Sequence, residues 1–231
     1  MLNPKEYLEK FNRMQEITVE VTKGLGRLIK PGMSEFELAE AYTRMLSDNG
    51  LKDHWYPILV YAGEITGKPI SRRFHLPSAD VAVEENDIVM LDSTPIDGTV
   101  WSNWSETFLI GKDDFYQAII SDTEKIVDET YDYLASEAKT VGDIYDFCNL
   151  RISNYGLQSL DPRNDVGHSI FQVPEGQTVD KTPMGDRLFI NEEYRNSPIE
   201  GIISIEPQLG RINPADGKMY SAKMQKVFIC P

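Results

Sequence analysis

Apolar residues open the chain at helical spacing. Tyr7, Phe11, Met14, Ile17, Val21, Leu25 and Leu28 follow one another three or four positions apart, which predicts one long amphipathic helix with a single buried stripe. Asn3-Pro4-Lys5-Glu6 marks its start. Asn3 can cap, Pro4 suits the first helical position, and Glu6 completes a capping box. Pro31-Gly32-Met33-Ser34 breaks the pattern. Ser34 and Glu37 form a second box, Leu38, Tyr42, Met45 and Leu46 give a second helix its buried face, and Asn49-Gly50 ends it with residues that tolerate a left-handed backbone.

The period then changes. Tyr56–Tyr61, Asp87–Asp92 and Thr107–Ile110 read as strands, and Asp97-Gly98 is a hairpin turn signal. This unit carries Asp92 and the Trp101–Ser105 segment towards each other. Helical spacing returns from Asp114 to about Ala138, and a further helix starts at Thr140, with Asp143 three residues on, and stops before Gly156. The steps Ser34 to Thr140 and Gly50 to Gly156 are both 106 residues. That offset predicts a pseudo-repeat, a helix pair followed by strands used twice, with a site between the halves. Chance similarity of two capped helices is the bland alternative. Beyond Gly156, Asp165–His168 is a candidate strand end, 172–200 an irregular excursion, Ile202–Pro207 a strand, and Met224–Ile229 the last strand. No linker-like or low-complexity segment interrupts the chain, so residues 1–231 read as one domain.

Composition narrows the function classes. The 231 residues are 41% hydrophobic and 26% charged, as in an ordinary globular protein. Lysine plus arginine is 23 and aspartate plus glutamate 37, a net charge of −14. That field disfavours nucleic acid and anionic lipid and favours a cationic or zwitterionic small molecule, unless it serves only solubility. Cys148 and Cys230 form no C-x-x-C pair, so no zinc ribbon is expected. The polar start, MLNPKEYLEK, lacks the apolar core of a signal peptide, and no run of 18 apolar residues occurs. A cytoplasmic protein is expected.

Three histidines are present: His54, His75 and His168. Asp92 and Glu206 each interrupt an apolar strand. An unpaired charge near the core costs several kcal/mol, so such acids need a cation, a metal or a proton beside them, unless they face solvent at a strand end. Trp101 and Trp104 flank Asn103 and either wall an apolar or cation-binding pocket or fill the core. Asn103-Trp104-Ser105 also fits a glycosylation acceptor, a reading of little weight without a secretion signal. Gly24-Leu25-Gly26 does not continue as a nucleotide-binding glycine motif.

Seven segments in order carry a family resemblance: I-K-P-G-M-S-E-F-E-L, F-H-L-P-S, N-D-I-V-M-L-D-S-T, S-N-W-S-E-T-F-L-I-G, V-G-H-S-I-F, I-S-I-E-P and S-A-K-M-Q-K-V-F-I. From about residue 10 onward the chain resembles the pita-bread fold of methionine aminopeptidases, proline dipeptidases and creatinases. The resemblance implies an α+β fold, a curved antiparallel sheet covered by two pseudo-repeated helix pairs. Two aspartates, a histidine and two glutamates hold two divalent metals in the metallopeptidases of that group. The matching positions here are Asp92, Asn103, His168, Glu206 and Gln225. Two carboxylates have become amides, both at bridging positions, and amides offer only a neutral oxygen. A dinuclear site carries four positive charges and needs anionic oxygens around it, so none or one divalent transition metal is expected rather than two. The family's second active-site histidine is replaced by the stretch Phe171-Gln172-Val173-Pro174-Glu175.

The resemblance therefore implies a small-molecule hydrolase with a remodelled site. The analogue is creatinase, which works without metal and admits a cationic substrate; hydrolysis of a C–N bond is expected, elimination less so. His75 and His168 are candidate acid–base groups, with Glu206 as a third catalytic residue. Asp92, Trp101, Asn103, Trp104 and Gln225 are candidate substrate contacts. In a one-metal variant Asp92, His168 and Glu206 are ligands, with Asn103 and Gln225 as neutral ones. The other readings are a non-catalytic relative that binds a peptide or protein partner, and a divalent-metal aminopeptidase with amide ligands. Family members often dimerise, so a homodimer is a candidate assembly.

Overall fold

The computed structural model describes residues 1–177, 179, 181 and 187–230. Helices α1 (Pro4–Gly26) and α2 (Glu35–Asp48) precede strand β1 (Asp53–Ala62). β2 (Ile88–Asp97), β3 (Val100–Trp101) and β4 (Trp104–Leu109) follow. A second helix pair, α3 (Asp114–Ser136) and α4 (Val141–Asn154), leads into β5 (Gln158–Ser159), β6 (Gly167–Ile170), β7 (Ile202–Ile205), β8 (Gln208–Ile212), β9 (Met219–Lys223) and β10 (Lys226–Ile229).

The capping residues explain the helix starts. Asn3, Ser34 and Thr140 each accept from the backbone N–H three residues on, and each is answered by the Glu6, Glu37 or Asp143 carboxylate. The repeat is real in the backbone. Both leading helices have 23 residues and both second helices 14. Ser34 and Thr140 each make an isolated bridge, to Ala82 and Pro198, and Gly50 and Gly156 close the second helices with φ of 91° and 64°.

Among the described residues all strand pairing is antiparallel. β2 is flanked by β1 and β4, with β3 at its far end; β6, β7 and β10 form a second sheet with β7 central; β5, β8 and β9 form a third. The first helix pair packs its apolar stripe, Phe11, Met14, Val21, Leu25, Leu38, Tyr42 and Leu46, against Val60, Val89 and Leu91. The second half buries Ile126, Val127, Leu134, Ile144, Cys148 and Ile152 against Ile203, Ile205 and Leu209. Leu28, expected to extend the first stripe, lies beyond the helix end and is exposed. β8 and β9 supply the third sheet, which the hydrophobic pattern alone did not mark. Of the irregular 172–200 stretch, positions 178, 180 and 182–186 lie outside the described residues.

Candidate active site

The alternation of strand side chains selects what converges. Asp92 on β2 lies directly opposite Ser105 on β4, and Ser105 Oγ donates to Asp92 Oδ2 at 2.6 Å. The next pair, Ser93 and Trp104, points to the other face. There Ser93 donates to Tyr42 of α2, while Trp104 donates to Glu106 and lies under Lys23 of α1. In the second sheet His168 on β6 opposes Ser204 on β7, and Glu206, two residues beyond Ser204, falls on that same face. Both sets meet at the floor of a cavity of about 790 Å³.

The floor is densely paired. His168 Nδ1 is 3.0 Å from the Ser169 carbonyl oxygen, which makes Nδ1 the donor and turns Nε2 to Glu206 Oε1 at 2.5 Å. Asn103 Nδ2 donates to both Glu206 oxygens, at 3.1 and 3.0 Å. The Lys223 ammonium donates to Asp92 Oδ2 at 2.8 Å and lies 3.2 Å from Glu206 Oε2. Lys223 is only 9% exposed. Burial alone would lower its pKa, but Asp92 and Glu206 raise it above the ordinary lysine value. Glu206 is held well below the usual carboxylate range: burial opposes the charge, and Lys223 and His168 outweigh burial. His168 is raised, because Glu206 overcomes the burial that would discharge the ring.

An aromatic wall stands beside this floor. Trp101 stacks on the His168 ring with centroids 5.8 Å apart and on Trp55 at 5.5 Å, and its indole N–H donates to the Phe171 carbonyl. Arg72, Arg73, Arg163 and Arg187 line the cavity with Asp161 and Asp165. Asp165 is raised to about 6 by burial and by Asp161, against the pull of Arg163.

Asp92, Trp101, Asn103, His168 and Glu206 thus come together, and three expected residues do not reach the cavity wall. Trp104 faces the helices by strand alternation. His75 pairs instead with buried Glu35, which also accepts from the Ala62 and Ser78 backbone N–H groups. Gln225 sits behind the floor as a brace. Its Oε1 accepts from Ser105 N at 2.7 Å, and its Nε2 donates to Asn103 O and Ser204 Oγ, both at 2.8 Å. Lys223 is the residue the sequence reading passed over. A signal existed: it stands two positions before Gln225, on the same strand-like face.

One sequence profile, Metallopeptidase family M24, matches residues 9–228. The protein belongs to metallopeptidase family M24. This M24 chain is 31% identical over 124 residues to a Mycoplasma pneumoniae protein named as a candidate Xaa-Pro aminopeptidase, an alignment covering 53% of this chain and 33% of that one. In structure it resembles X-Pro aminopeptidase from Thermotoga maritima, with a TM-score of 0.75 and 18% identity over 99% of this chain and 59% of the other. Methionine aminopeptidase from the same organism gives a TM-score of 0.74 at 14% identity, over 99% of this chain and 94% of that one. The M24 chain therefore spans a third of its sequence relative and under two thirds of the X-Pro aminopeptidase chain. Its fold is the family's α+β pita-bread fold. No helix among the described residues is long and apolar enough to cross a membrane.

The family name implies divalent metals, and the donor chemistry of this M24 floor does not fit a pair of them. Asn103 turns its NH2 group, not its oxygen, to Glu206. Gln225 has spent its oxygen on a backbone N–H. Lys223 stands between the two carboxylates that remain. Among the described residues no group of three or more His, Cys, Asp or Glu side chains is arranged to hold a metal ion.

Proposed function

We propose that this M24 protein hydrolyses a C–N bond in a small, peptide-like amide, with His168 as the group that moves protons. The observation carrying this reading is the His168–Glu206 pair, 2.5 Å apart at the floor of a large cavity. A histidine with one nitrogen fixed to a backbone carbonyl has a single nitrogen left for proton traffic, and that nitrogen is Nε2. Water adds to the carbonyl carbon as its proton passes to Glu206; the C–N bond then breaks as His168 gives its Nε2 proton to the leaving nitrogen, and Glu206 returns the water's proton to Nε2. Glu206 and Asn103 orient the ring and its proton. Lys223, with three N–H donors and two carboxylate partners, has one donor left to meet the negative charge that grows on the substrate oxygen.

The substrate's charge follows from the same residues. Asp92 and Glu206 need a cation beside them, and the chain's own Lys223 ammonium supplies it. Four arginines and Lys223 against Asp92, Asp161, Asp165 and Glu206 leave the lining short of negative charge. A carboxylate-bearing amide with a flat apolar body, able to lie against Trp101 and Trp55, suits this lining better than a cation. The test is turnover of a panel of dipeptides and N-acyl amino acids beside amidines and guanidines. His168→Ala is expected to lose at least about a hundredfold in kcat while the protein stays folded. Normal turnover in that variant overturns the assignment, and binding of the panel with no turnover at all would leave a binding protein in place of an enzyme.

A further inference from the structure

We infer that Lys223 is the resident cation of this site: its ammonium takes the space and the charge role of divalent ions, so the protein binds none there. This goes beyond the hydrolytic reading and stands whether or not a substrate is turned over.

Three departures converge on it. Position 103 donates two N–H contacts to Glu206, so it adds a partner for the carboxylate where a metal ligand would add negative charge. Position 225 uses its one oxygen on Ser105 N and both amide hydrogens on Asn103 O and Ser204 Oγ, so it cannot turn to a metal without breaking three hydrogen bonds. Lys223 then supplies the positive charge that the two remaining carboxylates require. Each change would be damaging alone in a metal site. Together they leave Asp92 and Glu206 compensated by cationic and neutral donors of the chain itself.

Lys223 is also held in place. It ends β9 opposite Gln208. Its backbone N–H donates to Thr107 Oγ1 at 2.8 Å, and the same hydroxyl donates back to the Lys223 carbonyl at 2.9 Å. Thr107 lies two residues past Ser105 on β4, so the clamp fixes Lys223 relative to Asp92. A divalent ion bound to those oxygens needs contacts of about 2.0–2.2 Å. The ammonium sits 2.8 and 3.2 Å from the same two carboxylates. Ion and ammonium would share the same oxygens in a buried site, which like charges cannot do.

The experiment is isothermal titration with manganese, cobalt and zinc, beside melting curves, on the purified chain and four variants. Wild type and Asn103→Asp/Gln225→Glu are both expected to show no saturable binding at micromolar metal. Adding Lys223→Met to that double change is expected to bind at least about tenfold more tightly, with a metal-dependent rise in melting temperature. Saturable binding by wild type, or equal binding by the double and triple variants, overturns the proposal. Lys223→Met alone should melt lower, and Asp92→Asn/Lys223→Met should recover part of that loss. No recovery would mean that Lys223 does not compensate Asp92, which also overturns it. None of these readouts uses catalysis, so they fail or hold independently of the hydrolytic assignment.

Discussion

Asp165 shows how a single residue carries a measurable signature. Its carboxyl lines the cavity, accepts from Asn191 Nδ2, and has Arg163 Nε 3.0 Å from Oδ2, with Asp161 adding negative charge nearby. Burial and Asp161 raise its folded pKa from 3.8 to about 6. A raised acid contributes stability at low pH and loses it as pH climbs through the folded value. Asp165→Asn should therefore raise the melting temperature at about pH 8 and change it little at about pH 4. Equal shifts at both pH values would show that the carboxyl is not strained by its charge. Lys223 teaches the complementary point. A buried acid in an apolar strand announces a need for a cation, but the sequence does not say whether metal, substrate or the chain's own lysine supplies it.

Caps and close strand contacts dominate at the scale of elements. Thr140 starts α4 as Ser34 starts α2, and Thr140→Ala should cost about 1 kcal/mol in chemical denaturation. Gly167 is the other sensitive point. A Cβ there would lie 1.9 Å from the Ser204 carbonyl oxygen, so Gly167→Ala must push β6 from β7, at about 1–3 kcal/mol. Because His168 follows immediately, His168 should also lose its register with Glu206. Unchanged stability in Gly167→Ala would contradict the tight β6–β7 approach. The capping boxes were legible because they need only local spacing. The pairing of β8 with β9 was not, since short strands without an alternating pattern are recognised only by their partners.

Across the whole molecule, one loop joins the two halves around the cavity. Residues 69–76 carry Arg72, Arg73 and Phe74 to the cavity wall. From the first half, Glu35 holds His75 and the Ser78 N–H. From the second half, Gln208 accepts from Ile70 N at 2.7 Å and donates to Thr66 O, Lys68 O and Ser221 Oγ. His75, expected as an acid–base group, is thus placed as an anchor for this loop. Glu35→Ala should free it, and cleavage by trypsin after Arg72 and Arg73 should quicken while the melting temperature of the core changes less. Cleavage no faster than in wild type would leave the anchor without effect.

The helix pairs, the 106-residue repeat, the strand bearing Asp92 and the amides at positions 103 and 225 were all written in the sequence. Helical spacing, caps and residue type are properties of neighbours along the chain, and they need no knowledge of what packs across the sheet. Convergence is different. Whether Trp104 or Ser105 faces the cavity depends on strand register, and whether Asp92 meets a metal or Lys223 depends on β9 lying beside β4, more than a hundred residues away in the chain. Only the tertiary structure brings those groups within hydrogen-bonding distance, because charge compensation in a buried site is settled by position in space and not by order in sequence.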